Sequence, residues 1–341
     1  MAAGAGADAA RRVSAPRVSV LLPVRDEEPY LAEALASLSA QTLADHEVIV
    51  VDDGSEDGSA AIAEAHARRD RRFRVIRQPP RGMVAASERA RAEARAPLVA
   101  RMDGDDVALP ERLELQAAAI EEEGLAAVGG RIEYFPTPTD GMRRYAAWLN
   151  GLVTVEAAAR DVFVECPLPG PGLMARAELI SYRECGWPED YDIVLRLWAA
   201  GRRFRNLDRL VLRWRDTPGR ISRIEERYSL ASFRRCKVHY LRRTLLAGGR
   251  PAVVWGAGPT GKALAHELLQ AGTPLAAFVE VDPRKLGKRI HGAPVVGIED
   301  ARSFPGAVAL GAVAGADGRA RVREQAAALG LAEGMDFVAA A

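Results

Sequence analysis

Three aspartates lie within four positions of the segment ARMDGDDVALPERL, at Asp103, Asp105 and Asp106. They follow a short apolar stretch and precede a proline. Carboxylates at the end of a buried strand suit Mg²⁺ or Mn²⁺, because these hard cations prefer oxygen ligands. A diphosphate would supply further oxygens, and the cation would neutralise a leaving nucleoside diphosphate. The alternative is an acidic loop that only caps the next helix.

Strands and helices alternate around these aspartates. Apolar, β-branched runs predict strands at 18–24, 46–55, 72–78 and 96–103. Apolar residues at helical spacing predict helices between them, over 26–41, 57–70 and 81–96. This alternation indicates a parallel α/β sheet covered by helices on both faces. Ligands of such sheets bind beyond the carboxyl ends of the strands, so the loops PVRDEE, VDDGS and MDGDD are expected to meet in one crevice.

Composition excludes several classes of protein. The 341 residues carry 47 basic and 46 acidic side chains, and this balance disfavours binding to nucleic acid. Three isolated cysteines predict neither a disulfide scaffold nor a zinc site. No apolar run reaches the roughly 18–20 residues of a membrane span. We expect a disordered tail at 1–16 and a cytoplasmic protein with at most peripheral contact at the inner face of the membrane.

Residues 17–223 resemble family 2 glycosyltransferases, which are inverting enzymes of the GT-A fold. The resemblance rests on four segments in order: VSVLLPVRDEEPYLAEALASLSAQT, VIVVDDGSEDGS, ARMDGDDVALPERL, and WPEDYDIVLRLWAAG followed by RWRDTPGRISR. It implies a doubly wound, mostly parallel sheet over 17–245. It also implies transfer of a sugar from a nucleotide-diphosphate sugar to an acceptor hydroxyl.

The resemblance assigns most of the candidate residues to the sugar donor. Asp103 would approach the ribose, and Asp105 of the Asp-x-Asp motif would ligate the metal. Arg81 would bind the diphosphate, unless it is a solvated surface arginine. Asp106 would orient the loop or cap the next helix. The base and ribose would be held by Pro23, Val24, Arg25, Asp26, Glu27, Asp52 and Asp53.

A second acidic pair, Glu189–Asp190, matches the Glu-Asp motif of the family. Asp190 would then be the general base, which takes the proton of the acceptor hydroxyl as that hydroxyl attacks the anomeric carbon. A charge at a helix N-terminus is the alternative, and Asp192 is expected in that first helical turn. The basic run RWRDTPGRISR would fold over the diphosphate or remain plain surface.

Three positions depart from the family pattern. Glu88 stands where an Asn is usual and would repel a nearby phosphate. Gly170-Pro171-Gly172 replaces a His-Pro-Thr-like turn, and Thr217 stands where a His is common. The metal and base motifs are retained, so the departures bear mainly on the acceptor.

A glycine-rich turn near the end of the chain predicts a second unit. Gly256, Gly258 and Gly261 follow a predicted strand and open a helix, and Glu280 ends the next strand about twenty residues on. This is the context of a dinucleotide fingerprint. Residues 250–341 therefore resemble a small Rossmann-like α/β domain found beside sugar-modifying enzymes, with a nucleotide or NAD as its ligand. A degenerate module for dimerisation or regulation is the alternative.

Three functions stay open from the sequence. The first is an inverting, metal-assisted glycosyltransferase that uses a glycan, lipid-linked or other hydroxyl acceptor in cell-envelope polysaccharide synthesis. The second is an NAD-dependent oxidoreductase that acts on a sugar nucleotide through the C-terminal domain. The third is a non-catalytic sugar-nucleotide sensor. A homodimer is compatible with each of them.

Overall fold

The structure is a computed structural model that describes residues 15–217 and 219–341. The predicted tail at 1–16 lies, up to residue 14, outside the described residues. Two β-sheets organise the described part of the chain, and within it no helix has the length and apolar content needed to cross a bilayer.

The first sheet has eight strands in the order β3-β2-β1-β4-β7-β6-β8-β5. Its strands are β1 Val18–Val24, β2 His46–Asp52, β3 Phe73–Arg77, β4 Leu98–Arg101, β5 Val107–Ala108, β6 Ala127–Phe135, β7 Met174–Arg176 and β8 Phe204–Arg215. Strands β1 to β4 are mutually parallel, whereas β7 and β5 run antiparallel to their neighbours. The predicted mostly parallel sheet is confirmed.

Helices cover both faces of this sheet. They are α1 Leu31–Ser39, α2 Ser59–Ala67, α3 Met83–Ala92, α4 Arg112–Glu123, α5 Asp140–Asn150, α6 Val155–Arg160, α7 Glu189–Ala199, α8 Ile221–Ile224 and α9 Leu230–Arg243. In β2, Val48 and Val50 join one core cluster while Ile49 and Val51 join the other. Alternate residues of a strand point to opposite faces, so a continuous apolar run marks a strand that is buried on both sides.

The second sheet has six strands in the order β11-β12-β10-β9-β13-β14. Its elements are β9 Ala252–Trp255, α10 Pro259–Gln270, β10 Leu275–Val279, β11 Arg289–Ile290, β12 Ala293–Val296, β13 Val308–Gly311, α11 Ala316–Ala328 and β14 Phe337–Ala339. All pairings are parallel except that of the short edge strand β11 with β12. Strands β9 and β10 are the two that the sequence predicts, one before the glycine-rich turn and one before Glu280.

The second sheet packs against the first unit through α9. Cys236 and Leu241 of α9 belong to the same buried cluster as Val254 and Leu268. The ammonium of Lys237 donates hydrogen bonds to the carbonyl of Val164 at 2.8 Å and to that of Ala340 at 3.1 Å. A buried lysine with two backbone partners therefore joins the two units inside the core.

Candidate active site

A cavity of about 490 Å³ lies at the carboxyl ends of β1 and β4. Its walls come from the loops after these strands, from the start of α7 and from the segment after β8. The predicted residues among its walls are Pro23, Val24, Arg25, Glu27, Asp53, Asp103, Asp105, Glu189 and Asp190. The structure therefore brings both acidic motifs to one cavity.

The acidic loop after β4 concentrates negative charge. One carboxylate oxygen from each of Asp103, Asp105 and Asp106 lies within 4.8 Å of the other two. Burial raises the pKa of Asp105 to about 6, and the charge of Asp103 adds to this effect. Burial and the charge of Asp105 likewise raise the pKa of Glu27 to about 8. Carboxylates that lie this close raise the pKa of one another, and a bound cation would remove this repulsion. The raised pKa values are therefore compatible with a cation site.

Asp106 is absent from the cavity wall, and one of its carboxylate oxygens anchors the loop. Its side chain is fully buried, and Oδ1 accepts a hydrogen bond from the backbone N–H of Arg215 at 2.7 Å. Its Oδ2 has no hydrogen-bond partner among the described residues. Helix α4 begins at Arg112, after Glu111, so Asp106 orients the loop and does not cap that helix.

Buried arginines surround the acidic loop, and the sequence reasoning missed them. Arg101 ends β4, donates to the Asp103 carboxylate and lies in the cavity wall. Burial alone would lower its pKa, but the charge of Asp103 raises it above the usual range. Arg112 lies beneath the loop and donates to the Arg101 carbonyl. An arginine at the last position of an apolar strand, shortly before the acids, is the sequence feature that could have predicted Arg101 as a site residue.

The segment after β8 closes another wall of the cavity. Tyr134 and Trp214 stack with ring centroids 5.2 Å apart, and the guanidinium of Arg220 lies 4.4 Å from the Trp214 ring. All three line the cavity. Arg220 of the basic run therefore lines the cavity. Arg223 of the same run lies outside the cavity wall and pairs with Asp216.

The second acidic pair opens α7. Burial raises the pKa of Asp190 to about 6. The hydrogen bond that its Oδ1 accepts from the Tyr191 N–H at 2.7 Å lowers the pKa and so opposes this effect. Burial also raises the pKa of Glu189, whose carboxylate accepts a 2.8 Å hydrogen bond from the Tyr228 hydroxyl. A Cβ at Gly170 would lie 2.7 Å from Oδ2 of Asp190. The departure at position 170 thus makes room for the carboxylate.

Some predicted donor residues do not line the cavity. The carboxylate of Asp26 accepts the Glu56 N–H, and Asp52 pairs with Arg77. Arg81 is exposed, because the chain turns at Gly82 before α3 begins. The backbone N–H groups of Arg81 and Gly82 donate to the Asp53 carboxylate, at 2.9 and 2.7 Å.

Glu88, where the sequence predicts repulsion of a phosphate, is paired within the protein. Its carboxylate pairs with Arg91 and accepts the backbone N–H of Tyr182 at 2.9 Å. Burial opposes ionisation, but these donors hold the pKa of Glu88 below its usual value. The acid is therefore neutralised within the wall behind the cavity.

The glycine-rich turn of the second unit lies outside this cavity. Gly256 has a φ of 104°, and a Cβ at Gly261 would lie 1.8 Å from the Gly256 carbonyl oxygen. The carboxylate of Glu280 accepts the Ala257 N–H at 3.1 Å and the Lys285 ammonium at 2.7 Å. The Glu280 carboxylate is therefore in contact with the turn and is already engaged within its own unit.

The first sheet and the helices on its two faces form the fold of GT-A glycosyltransferases. The crystal structure of S. aureus TarS 1–349 in complex with UDP-GlcNAc has this fold, with a TM-score of 0.54, 21% identity and 66% of each chain covered. Residues 19–177 match the family described as glycosyl transferase family 2. This match confirms, for that segment of the chain, the resemblance found in the sequence.

Curated relatives cover different shares of the chain. The putative glycosyltransferase EpsE of Bacillus subtilis (strain 168) is 28% identical over 64% of this chain and 79% of its own length. The succinoglycan biosynthesis protein ExoU of Rhizobium meliloti (strain 1021) is 31% identical over 55% of this chain and 58% of its own. The uncharacterized glycosyltransferase EpsJ of Bacillus subtilis (strain 168) is 38% identical, but this chain spans only 33% of its length.

Proposed function

We propose that this chain transfers a sugar, with inversion, from a nucleotide-diphosphate sugar to an acceptor hydroxyl. The observation that carries the proposal is that Asp105 and Asp190 line the same cavity. Inverting transfer requires positive charge at the departing diphosphate and a base on the opposite side of the anomeric carbon. The acidic loop offers carboxylates that would hold a cation at the diphosphate, and the start of α7 offers the base.

The residues of the acidic loop fit Mg²⁺ or Mn²⁺. Asp103 and Asp105 offer carboxylate oxygens at the cavity, and the buried Oδ2 of Asp106 lacks a partner in the described chain. Both cations prefer such oxygen ligands. Bound there, the ion would neutralise charge on the departing diphosphate.

The side chains of the chain itself perform the remaining steps. Asp190 accepts the acceptor's proton, and Arg220, whose charge acts on Asp105, supplies positive charge toward the diphosphate. Asp53 shapes the loop before α3 through its two backbone hydrogen bonds, while Pro23, Val24 and Arg25 border the space for the nucleotide.

Donor binding is expected to depend on the metal. With MnCl₂ present, a matching nucleotide sugar in hundredfold excess over its Kd should raise the melting temperature by about 3–5 °C, because it binds only the folded state. Asp105→Ala should lose this shift, and EDTA should abolish it in the wild type. The readout is a thermal-shift screen of UDP-glucose, UDP-GlcNAc and GDP-mannose.

Asp208→Ala is the matched control, since Asp208 is exposed and lies outside the cavity wall. It should keep the full shift. A shift of equal size in Asp105→Ala, with and without Mn²⁺, would contradict the metal assignment.

Transfer is expected to fall in acid. Only the ionised form of Asp190 accepts a proton, and burial places its pKa at about 6. Below that pH the carboxyl is neutral, so kcat/KM should drop by about tenfold per pH unit. The measurement is kcat/KM between about pH 5 and pH 8, with melting temperatures recorded over the same range. A flat profile in a folded protein would rule out Asp190 as the base.

Domain boundaries at 17–245 and 250–341 are part of the proposal. The order β12-β10-β9-β13-β14 supports a Rossmann-like second domain, because it reproduces strands 3-2-1-4-5 of that fold. A nucleotide, NAD and homodimerisation stay predictions for this domain. The name of ExoU supports a role in polysaccharide synthesis, and we propose that this takes place on the cytoplasmic side of the membrane.

A further inference from the structure

A buried tyrosine in the cavity wall has a polar group without a partner. Tyr182 lies between β7 and α7, is 6% exposed and lines the cavity. Its hydroxyl has no hydrogen-bond partner among the described residues. Buried tyrosine hydroxyls usually find one, and leaving such a group unpaired costs about 1–3 kcal/mol. Because the residue lines the cavity and its buried hydroxyl has no partner of its own, a small rotation of the side chain would offer this hydroxyl to a ligand.

Tyr182 lies between the two halves of the proposed site. Burial raises the pKa of the Tyr182 hydroxyl well above its usual value. The negative charges of Glu189 and Asp103 raise this pKa further, whereas the positive charge of Arg101 lowers it. The hydroxyl is therefore protonated at neutral pH and offers a proton to an oxygen. Asp103 belongs to the donor loop, and Glu189 adjoins the base, so both ends of the reaction lie near this hydroxyl.

The transferred sugar must occupy the space between these two ends. Its anomeric carbon is attacked from the side of Asp190 and loses the diphosphate on the side of Asp105. The backbone N–H of Tyr182 is fixed by Glu88, which is itself held by Arg91. The side chain is thus anchored at its backbone while its hydroxyl remains unpaired.

We propose that the Tyr182 hydroxyl donates a hydrogen bond to an oxygen of the transferred sugar and helps to determine which sugar the protein accepts. Glu88 is the positioning residue that holds Tyr182 in place. This inference rests on the proposed function, because it assumes that a nucleotide sugar occupies the cavity. Sites that hydrogen-bond a substrate hydroxyl discriminate strongly against analogues that lack it.

The test compares Tyr182→Phe with Tyr191→Phe. Both tyrosines are buried, but the Tyr191 hydroxyl donates to the Val162 carbonyl at 2.8 Å and is absent from the cavity wall. Tyr191→Phe should therefore lower the melting temperature of the free protein. Tyr182→Phe should leave it unchanged or raise it, because the deleted hydroxyl has no partner to lose.

Ligand binding provides the second readout, with MnCl₂ present. UDP-glucose, UDP-GlcNAc and GDP-mannose are each compared with UDP or GDP alone. For the matching donor, the nucleotide sugar raises the melting temperature of the wild type more than the nucleotide alone does. Tyr182→Phe should lose most of this difference and keep the shift that the nucleotide alone produces. The value of kcat/KM for that donor should fall about tenfold.

The outcomes separate the inference from the function on which it rests. A wild type that responds to no nucleotide or nucleotide sugar defeats both. A wild type that responds, with a Tyr182→Phe variant that keeps the whole sugar-dependent shift, overturns the role of Tyr182 alone. A variant destabilised as much as Tyr191→Phe would show that the hydroxyl is structural, which also overturns the inference.

Discussion

Asp190→Asn is expected to lower the turnover number of sugar transfer by about 10³, within the range that general-base catalysis contributes. The amide is close in size and its oxygen still accepts the Tyr191 N–H, but it cannot take a proton at neutral pH. Binding of the nucleotide should persist, because Asp190 lies at the start of α7 and belongs neither to the acidic loop nor to the loop after β1. The measurement is release of nucleoside diphosphate, with a thermal shift to follow binding.

Asp208→Asn serves as the control for this variant and should turn over like the wild type, because Asp208 is exposed and forms a surface ion pair with Arg131. Activity in Asp190→Asn within about threefold of the wild type would exclude the general-base role. A wild type that binds donors but turns over none of them would favour the sensor over the enzyme.

Asp192→Ala is expected to reduce the free energy of unfolding by about 3–5 kcal/mol, because it leaves buried donors and a buried charge uncompensated. The fully buried carboxylate accepts hydrogen bonds from Arg183, Arg196, Trp187 and Tyr240. Helix α7 and helix α9 meet through this carboxylate. Urea denaturation, followed by tryptophan fluorescence, measures the loss.

The pKa of Asp192 supports the same expectation. Burial opposes its ionisation, but hydrogen bonds from Tyr240 and Arg183 hold its pKa below the usual value. A lowered folded-state pKa contributes stability above the unfolded pKa, and that stability is lost as the pH falls through the folded pKa. Asp208→Ala should cost less than about 1 kcal/mol, because it removes an exposed ion pair. Equal urea midpoints for the two variants would refute the importance of this network.

The sequence allowed the first sheet to be predicted because its central strands are buried on both faces. β1 and β2 are continuous apolar runs, and the helices between them repeat apolar residues at helical spacing, as Leu31, Leu35 and Leu38 do in α1. Periodicity does not reveal the short strands β7 and β5, because three and two residues carry no period. Their places in the sheet are set by tertiary pairing.

Acids of the site were found because they follow strands directly, and the end of a parallel strand is where ligands bind. Tyr182 lies in an irregular segment between β7 and α7, so no spacing relates it to the cavity. Arg81 was chosen for its charge, but a positive φ at Gly82 turns the chain before α3. The type of a residue indicates which chemistry it can perform. The direction in which its side chain points depends on backbone turns that a single sequence does not specify.

Arg215 fixes the acidic loop from outside the cavity. Its Nε donates to the Asp105 carbonyl at 2.6 Å, its backbone N–H holds Asp106, and its guanidinium lies over the rings of Tyr30 and Phe135. The loop is thereby shaped by the protein before any cation arrives. Capture of the ion then demands little ordering of the chain, which preserves more of the interaction energy for affinity. A chelator should accordingly strip such an ion and leave an intact receptor that can be refilled.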